Sequence, residues 1–282
     1  MARRVATHVA SGLRGPVLLL CLAAPFASAD AELDAVLADP GADAAARGLA
    51  VAEAADRADA GFGDSRVAVR MRLHDARGGI TERELRILTL EGRDGEGDRS
   101  LILFDSPMDQ RGTALLTWNH ADADDDQWLY LPALKRVKKI AARNRSGPFV
   151  GSEFAFEDLT SDEIEAFDWR FVGTEPCALG ECFHVERVPV ESWSGYSRQD
   201  AWYDTEALRL VRVEYHDRKD SHLKTLTASD WQASAEGWWR AGRMEMVNLQ
   251  TGRRTDLIWG PHEFGTGLEE SDFTPTALRR IR

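Results

Sequence analysis

Runs of residues that alternate apolar and polar with a period of two recur along this chain from Val67 to Trp259. That period restricts the fold more than any other feature, because only an extended strand sends successive side chains to opposite faces. Val67, Val69, Met71 and Leu73 alternate with Ala68, Arg70, Arg72 and His74, which describes a strand with one buried and one wet face. Gly78-Gly79 follows, then Glu82–Leu90 with Leu85 and Ile87 in its apolar row, a hairpin signal. Further strand-like runs are Ser100–Asp105, Thr113–Asn119, Gln127–Leu131, Val137–Ala141, Trp169–Gly173, Phe183–Val190, Ser197–Tyr203, Leu208–His216, Leu223–Trp231, Trp238–Asn248 and Arg254–Trp259. Turn-rich pieces separate them at Asp94-Gly95, Asp122–Asp126, Asp204-Thr205-Glu206, Asp217–Ser221, Glu236-Gly237 and Thr251-Gly252. About a dozen strands joined by short turns predict a mainly β fold, a single strongly curved antiparallel sheet or barrel.

Two helical segments break the pattern. Residues 30–61 are rich in Ala and Asp, and Ala42–Ala58 has helix-forming composition with Leu49, Val51 and Ala55 sharing part of one face. Thr160-Ser161-Asp162-Glu163 offers capping residues before Ile164 and Phe167, which predicts a short helix near 160–167. No internal repeat or low-complexity linker is visible, so residues 62–282 are expected to form one domain.

The first 29 residues have a different purpose. Arg3, Arg4 and Arg14 precede an apolar stretch, residues 16–24, and then Ala27-Ser28-Ala29. This order of charge, short apolar core and A-x-A site is that of a cleaved secretory signal, and the core is about half the roughly 20 residues a membrane-spanning helix needs. Cys21 lacks the small preceding residue that lipid-modified cysteines usually follow, so cleavage after Ala29 and a periplasmic destination are expected. Removing the segment lowers the basic residues from 35 to 32 against 47 acidic ones, moving the formal charge from −12 to −15. Such an acidic molecule is a poor candidate for general nucleic-acid binding. In an oxidising compartment Cys177 and Cys182, spaced C-x4-C around a Gly-containing turn, are expected to form a hairpin disulfide.

One stretch opposes the general charge. Lys135, Arg136, Lys138, Lys139, Arg143 and Arg145 place six cations within eleven residues, next to an aromatic strand and a segment containing Gly147, Phe149, Gly151, Phe154 and Phe156. Two readings stay open. The cations can meet anionic headgroups or an acidic partner, at about 1 kcal/mol per charge near an anionic membrane, or they can protect an exposed strand edge from aggregation.

The run Trp128–Ile140, followed by Ser146–Phe154 and Glu157-Asp158, resembles the signature of the outer-membrane lipoprotein-sorting-like family, the LolA/LolB type of periplasmic protein. Ala201-Trp202-Tyr203-Asp204, Val213-Glu214-Tyr215 and Leu223-Lys224-Thr225 resemble later hairpins of the same family, so the likeness runs from about Phe62 to the C-terminus. The resemblance implies a half-open antiparallel β-barrel wrapped around short helices, with acyl chains of a lipid or lipoprotein held on the concave side. It also implies transient membrane contact and association with an RND-type inner-membrane exporter. Val67, Val69, Met71, Leu73, Leu85 and Ile87, with Met244 and Met246, are then candidate ligand-lining residues, since methionine adapts to varied shapes. Apolar residues in such rows are more often ordinary core, and these eight line a ligand only where the helices leave part of that face uncovered.

Enzymatic alternatives have less support. No G-x-S-x-G or H-E-x-x-H pattern occurs. His216, Asp217, Asp220 and His222 cluster around a probable turn and suit a metal or a polar hairpin tip. Asp122, Asp124, Asp125 and Asp126 resemble a calcium loop in composition alone. A non-catalytic carrier, without cofactor or metal, is therefore the expected function. An envelope lipid hydrolase and an exporter adaptor that binds no lipid are the alternatives.

Overall fold

The computed structural model describes residues 31–93, 96–120, 123–160 and 164–279. The expected signal segment, the expected Asp94-Gly95 turn, Asp122 and Ser161-Asp162-Glu163 lie outside the described residues. Helices α1 (Ala31–Ala38) and α2 (Ala44–Asp59) come first. Strands β1 (Asp64–His74), β2 (Ile80–Leu90), β3 (Arg99–Ser106), β4 (Ala114–Trp118), β5 (Asp126–Leu131) and β6 (Arg136–Ile140) follow. After a long connection come β7 (Phe167–Cys177), β8 (Gly180–Pro189), β9 (Tyr196–Asp204), β10 (Leu210–Asp217) and β11 (His222–Ser229). The chain ends with β12 (Gln232–Ala233), β13 (Trp239–Arg240), β14 (Arg243–Asn248), β15 (Arg254–Trp259) and β16 (Glu263–Phe264).

All but β12 and β13 belong to one sheet of order β6-β5-β4-β3-β2-β1-β15-β14-β11-β10-β9-β8-β7, with β16 added to β1. Every pairing in it is antiparallel. The chain starts in the middle of the sheet, walks outward to the β6 edge, crosses to the opposite edge at β7, and walks back until β15 pairs with β1. The two edges do not pair with each other, so the curved sheet is an open barrel. The described residues of the crossing, 141–160 and 164–166, include a segment bonded to β2, β11 and β15, which places it over the concave face.

Alternation decides which side chains fill this face. Val67, Val69 and Met71 are buried between exposed Arg66, Ala68 and Arg70, and Leu85, Ile102, Leu115, Val185, Ala201, Val213, Met246 and Leu257 continue the same core across the sheet. The convex side of β3–β5 is capped by the C-terminal segment, whose Leu268, Phe273 and Leu278 cluster with Leu101, Leu103, Ala114 and Leu116. Gly78, at φ +88°, lets the β1–β2 hairpin turn where a side chain would be strained.

Helix α2 is capped by Asp43, whose Oδ1 accepts from Ala46 N at 2.8 Å. It packs on β7 so tightly that a Cβ on Gly48 would lie 2.7 Å from the Arg170 amide nitrogen. Val51 is fully buried and Ala55 packs against the core, but Leu49 is 39% exposed. The expected apolar face is thus rotated, because close approach selects the small residues Gly48, Ala52 and Ala54 rather than the large one. The short helix expected near 160–167 is, in its described part, a single 3-10 turn at Ile164–Ala166. Phe167 already starts β7, where Phe167, Trp169 and Phe171 pack on the core side. The Trp238–Asn248 run is interrupted too: β13 and β14 are separate, and the Trp238 indole stacks near Phe264 at 5.1 Å.

Cys177 and Cys182 form a disulfide across the β7–β8 hairpin, with Cα atoms 5.8 Å apart. So short a loop gains little entropy from closure, and replacing both cysteines with serine is expected to lower stability by about 2 kcal/mol. Chemical denaturation under non-reducing conditions would measure this.

Candidate functional site

The crossover folds back on itself before it reaches β7. The backbone N–H of Phe156 donates to Gly147 O at 3.1 Å and that of Phe149 to Phe154 O at 2.7 Å, closing a turn at the glycine-spaced segment. Phe149 and Phe154 are buried, and Phe149 stacks against Phe104 at 5.7 Å and edge-on to Phe156 at 5.6 Å. Arg83 Nη1 donates to Val150 O at 2.6 Å, and Glu153 N donates to Thr255 Oγ1 at 3.0 Å, so the turn lies over β2 and β15.

A buried ion pair fixes the next residues. Lys224 Nζ on β11 lies 2.5 Å from Asp158 Oδ2 and donates to Glu153 O at 3.0 Å, with the Tyr196 and Tyr215 rings 5.2 and 5.1 Å away. Asp158 also accepts from Tyr196 Oη and from Ala155 N, each at 2.6 Å. Burial pushes the Tyr196 hydroxyl well above its ordinary range, so it remains a donor. Glu157 accepts from Ser194 Oγ at 2.8 Å and Gly195 N at 3.0 Å, and burial beside Asp158 pushes its carboxyl up. These contacts tether the crossover to β9, β11 and the β8–β9 loop.

Between the crossover and the sheet lies a cavity of about 640 Å³, within the range of small-molecule sites, about 300–1,000 Å³. Ile87, Ile102, Leu226, Met244, Leu257 and Trp259 line it from the sheet, and Phe154, Leu159 and Phe167 line it from the crossover and the start of β7. Its polar groups include Asp124, Asp125, Arg145, Glu165 and Glu191. Arg145 Nη2 lies 3.1 Å from Glu191 Oε1, and Nη1 lies 3.6 Å from Asp125 Oδ2. Arg145 thereby ties the β4–β5 loop to the β8–β9 loop, which come from opposite halves of the sheet.

Burial pushes the Asp125 carboxyl up to about 6, against the opposing influence of the His120 N–H and of Arg145. Burial likewise pushes Glu191 up. Because the folded Asp125 holds its proton more tightly than the unfolded chain does, acidification through roughly pH 6 to 4 favours the folded state. Above that window the contribution is lost. Asp125→Asn keeps an acceptor for His120 N and removes the buried charge, so stability at pH 7 is expected to rise by of order 1–3 kcal/mol. Denaturant titrations from pH 4 to 8 would show a flatter profile for the variant.

The expected apolar residues divide into two groups. Ile87 and Met244 line the cavity. Val67, Val69, Met71, Leu85 and Met246 are buried in the filled part of the core, and Leu73 packs against it. Sequence periodicity identified the concave row, but it carried no sign of which end the crossover covers. Trp259, Leu257, Leu226 and Phe154 were missed as lining residues for the same reason.

The basic stretch divides as well. Lys135, Arg136, Lys138, Lys139 and Arg143 are exposed, and the first four flank or form the edge strand β6. Lys139 pairs with Asp126 and lies 5.6 Å from the Trp128 ring. Arg145 is only 4% exposed and faces its carboxylates, so it is not part of the outer cationic surface. Its inward turn follows from the 3-10 turn at Ala142–Asn144, which ends the strand's alternation.

The His216–His222 group offers no metal chelate. His216 Nε2 lies 3.2 Å from Asp200 Oδ2, while Asp217 Oδ1 accepts from Lys219 N and Ser221 N and shapes the turn. Among the described residues no group of three His, Cys, Asp or Glu side chains can hold a metal ion.

A family model described only as an uncharacterized protein matches residues 96–280. A crystal structure of a domain provisionally described as outer-membrane lipoprotein-sorting, from Vibrio parahaemolyticus, is 44% identical. It superposes with a TM-score of 0.81, covering 84% of this chain and 100% of that one. A DUF1329 family protein from Desulfovibrio piger is 29% identical with a TM-score of 0.79, covering 84% and 99% of the two chains. A LolA superfamily protein from Nitrosomonas europaea shares the fold, with a TM-score of 0.65 at 17% identity over 80% of this chain and 97% of that one. No curated protein matches.

Proposed function

Since this chain belongs to the outer-membrane lipoprotein-sorting-like family, we propose that it is a periplasmic, non-catalytic carrier of lipid or lipoprotein acyl chains. The observation that carries this reading is the cavity between crossover and sheet, walled by Ile87, Ile102, Leu226, Met244, Leu257 and Trp259. Apolar transfer contributes about 0.8 kcal/mol per buried methylene, so ten methylenes supply roughly 8 kcal/mol before ordering costs. Carriage of this kind needs affinity without bond chemistry, and it needs reversibility.

The cleaved signal would deliver the chain to the periplasm. Donor and acceptor would be membrane-embedded, with an RND-type exporter as one partner. Lys135, Arg136, Lys138 and Lys139 would meet an acidic partner surface. Changing all four to glutamine is expected to weaken capture of such a partner while altering folding stability by less than about 0.5 kcal/mol. If capture is unchanged, the cations serve edge protection at β6 alone.

Titration of the delipidated protein with a fluorescent fatty acid tests the carrier reading. Saturable binding near one equivalent, displaced by unlabelled phospholipid, is expected. Turnover of that lipid, lost on changing His216 or Asp217, would support the hydrolase instead.

A further inference from the structure

Val190 and Trp193, in the loop between β8 and β9, are 60% and 52% exposed. Val190 also lines the cavity, so the loop that carries Trp193 borders the cavity mouth. The loop is not held loosely. Val190 N donates to Ala166 O at 3.0 Å, Ser194 and Gly195 donate to Glu157, and Arg218 donates to Trp193 O at 2.7 Å and to Ser194 O at 2.8 Å. A large aromatic side chain is therefore presented to solvent on a fixed backbone, and its ordering cost is already met by folding.

We infer that the Val190–Trp193 loop docks the cavity mouth onto a phospholipid bilayer. Tryptophan joins an apolar body to an N–H donor and favours the membrane–water interface. Arg218 and Lys219, on the adjoining β10–β11 turn, are exposed, and Arg143 is exposed two residues before Arg145. Carboxylates at the same mouth, Asp124, Glu165 and Glu191, offset this positive charge, so the exposed apolar pair carries the docking. Two exposed apolar side chains are far too few for a specific protein interface, which needs at least about 1,000 Å² in total. They are enough for shallow insertion that ends when cargo has moved.

The inference rests on the carrier reading, and one experiment separates the two. Wild type and the variant W193S, whose side chain is not part of the cavity lining, are mixed with phosphatidylcholine vesicles that contain some phosphatidylglycerol and carry bromine on their acyl chains. Each protein is also titrated with a fluorescent fatty acid without vesicles. Wild type is expected to cosediment and show quenched tryptophan emission. The variant is expected to bind vesicles about tenfold more weakly, lose part of that quenching and keep its fatty-acid affinity. Vesicle binding that the variant retains in full overturns the inference. So does a wild type that takes up fatty acid yet ignores vesicles, and crosslinking from position 193 would then assign the loop to a protein partner. Trp193-dependent vesicle binding without fatty-acid uptake would support the docking and reject the carrier reading.

Discussion

Replacing Ile87 and Met244 together with tryptophan is expected to lower affinity for a fluorescent fatty acid by at least tenfold. Both side chains line the cavity from different strands, β2 and β14, so the two indoles grow into the same space. Excluding even two methylenes removes about 1.6 kcal/mol, already more than a factor of ten. In a filled core, added bulk of this size costs 1–3 kcal/mol per site. Here it enters empty volume, so folding stability should change by less than that. Fatty-acid titration and thermal melts on the same sample separate the two effects. A large fall in stability with unchanged binding would place the acyl site elsewhere.

The second large effect belongs to Lys224. Its ammonium and the Asp158 carboxylate are both buried, and the pair is an ionic tie between the crossover and the sheet. Lys224→Met leaves Asp158 as an uncompensated buried charge, which costs about 3–5 kcal/mol. For a protein of this size that corresponds to a fall in Tm of roughly 6–20 °C. Adding Asp158→Asn removes the second charge, keeps an acceptor for Tyr196 Oη, and is expected to recover at least half the loss. Calorimetry of the single and double variants would measure this. Equal melting of Lys224→Met and wild type would show that the crossover is held by its apolar contacts alone.

Much of this architecture is legible in the sequence, for physical reasons. Strand existence follows from alternation that any neighbour on the sheet would read in the same way, as in Val67–Leu73. Hairpins follow from local turn chemistry, as at Gly78 and at Asp217, whose side chain accepts from its own turn. The disulfide follows from two cysteines placed at the ends of one hairpin.

What alternation cannot supply is long-range order. That β6 and β7 are opposite edges, and β1 and β15 neighbours, depends on pairings some 200 residues apart in the chain. The role of residues 141–160 as a crossing over the concave face depends on that order. So does the division between filled core at Met71 and open wall at Ile87. Arg145 is the clearest case: along the sequence it belongs to the cationic run, yet in space it belongs to Asp125 and Glu191. Leu49 differs for another reason, because the tight approach of Gly48 to β7 overrides the preference to bury the larger side chain.

Copurified lipid tests the central claim most directly. The protein is purified from a host with a native-like envelope, washed free of detergent, and examined intact and after organic extraction by mass spectrometry. The expected result is one acyl-chain amphiphile per folded protein, lost in the Ile87→Trp/Met244→Trp variant. Wild-type protein that carries no lipid and also fails to take up fluorescent fatty acid would contradict the carrier reading, leaving a family fold whose cavity does other work.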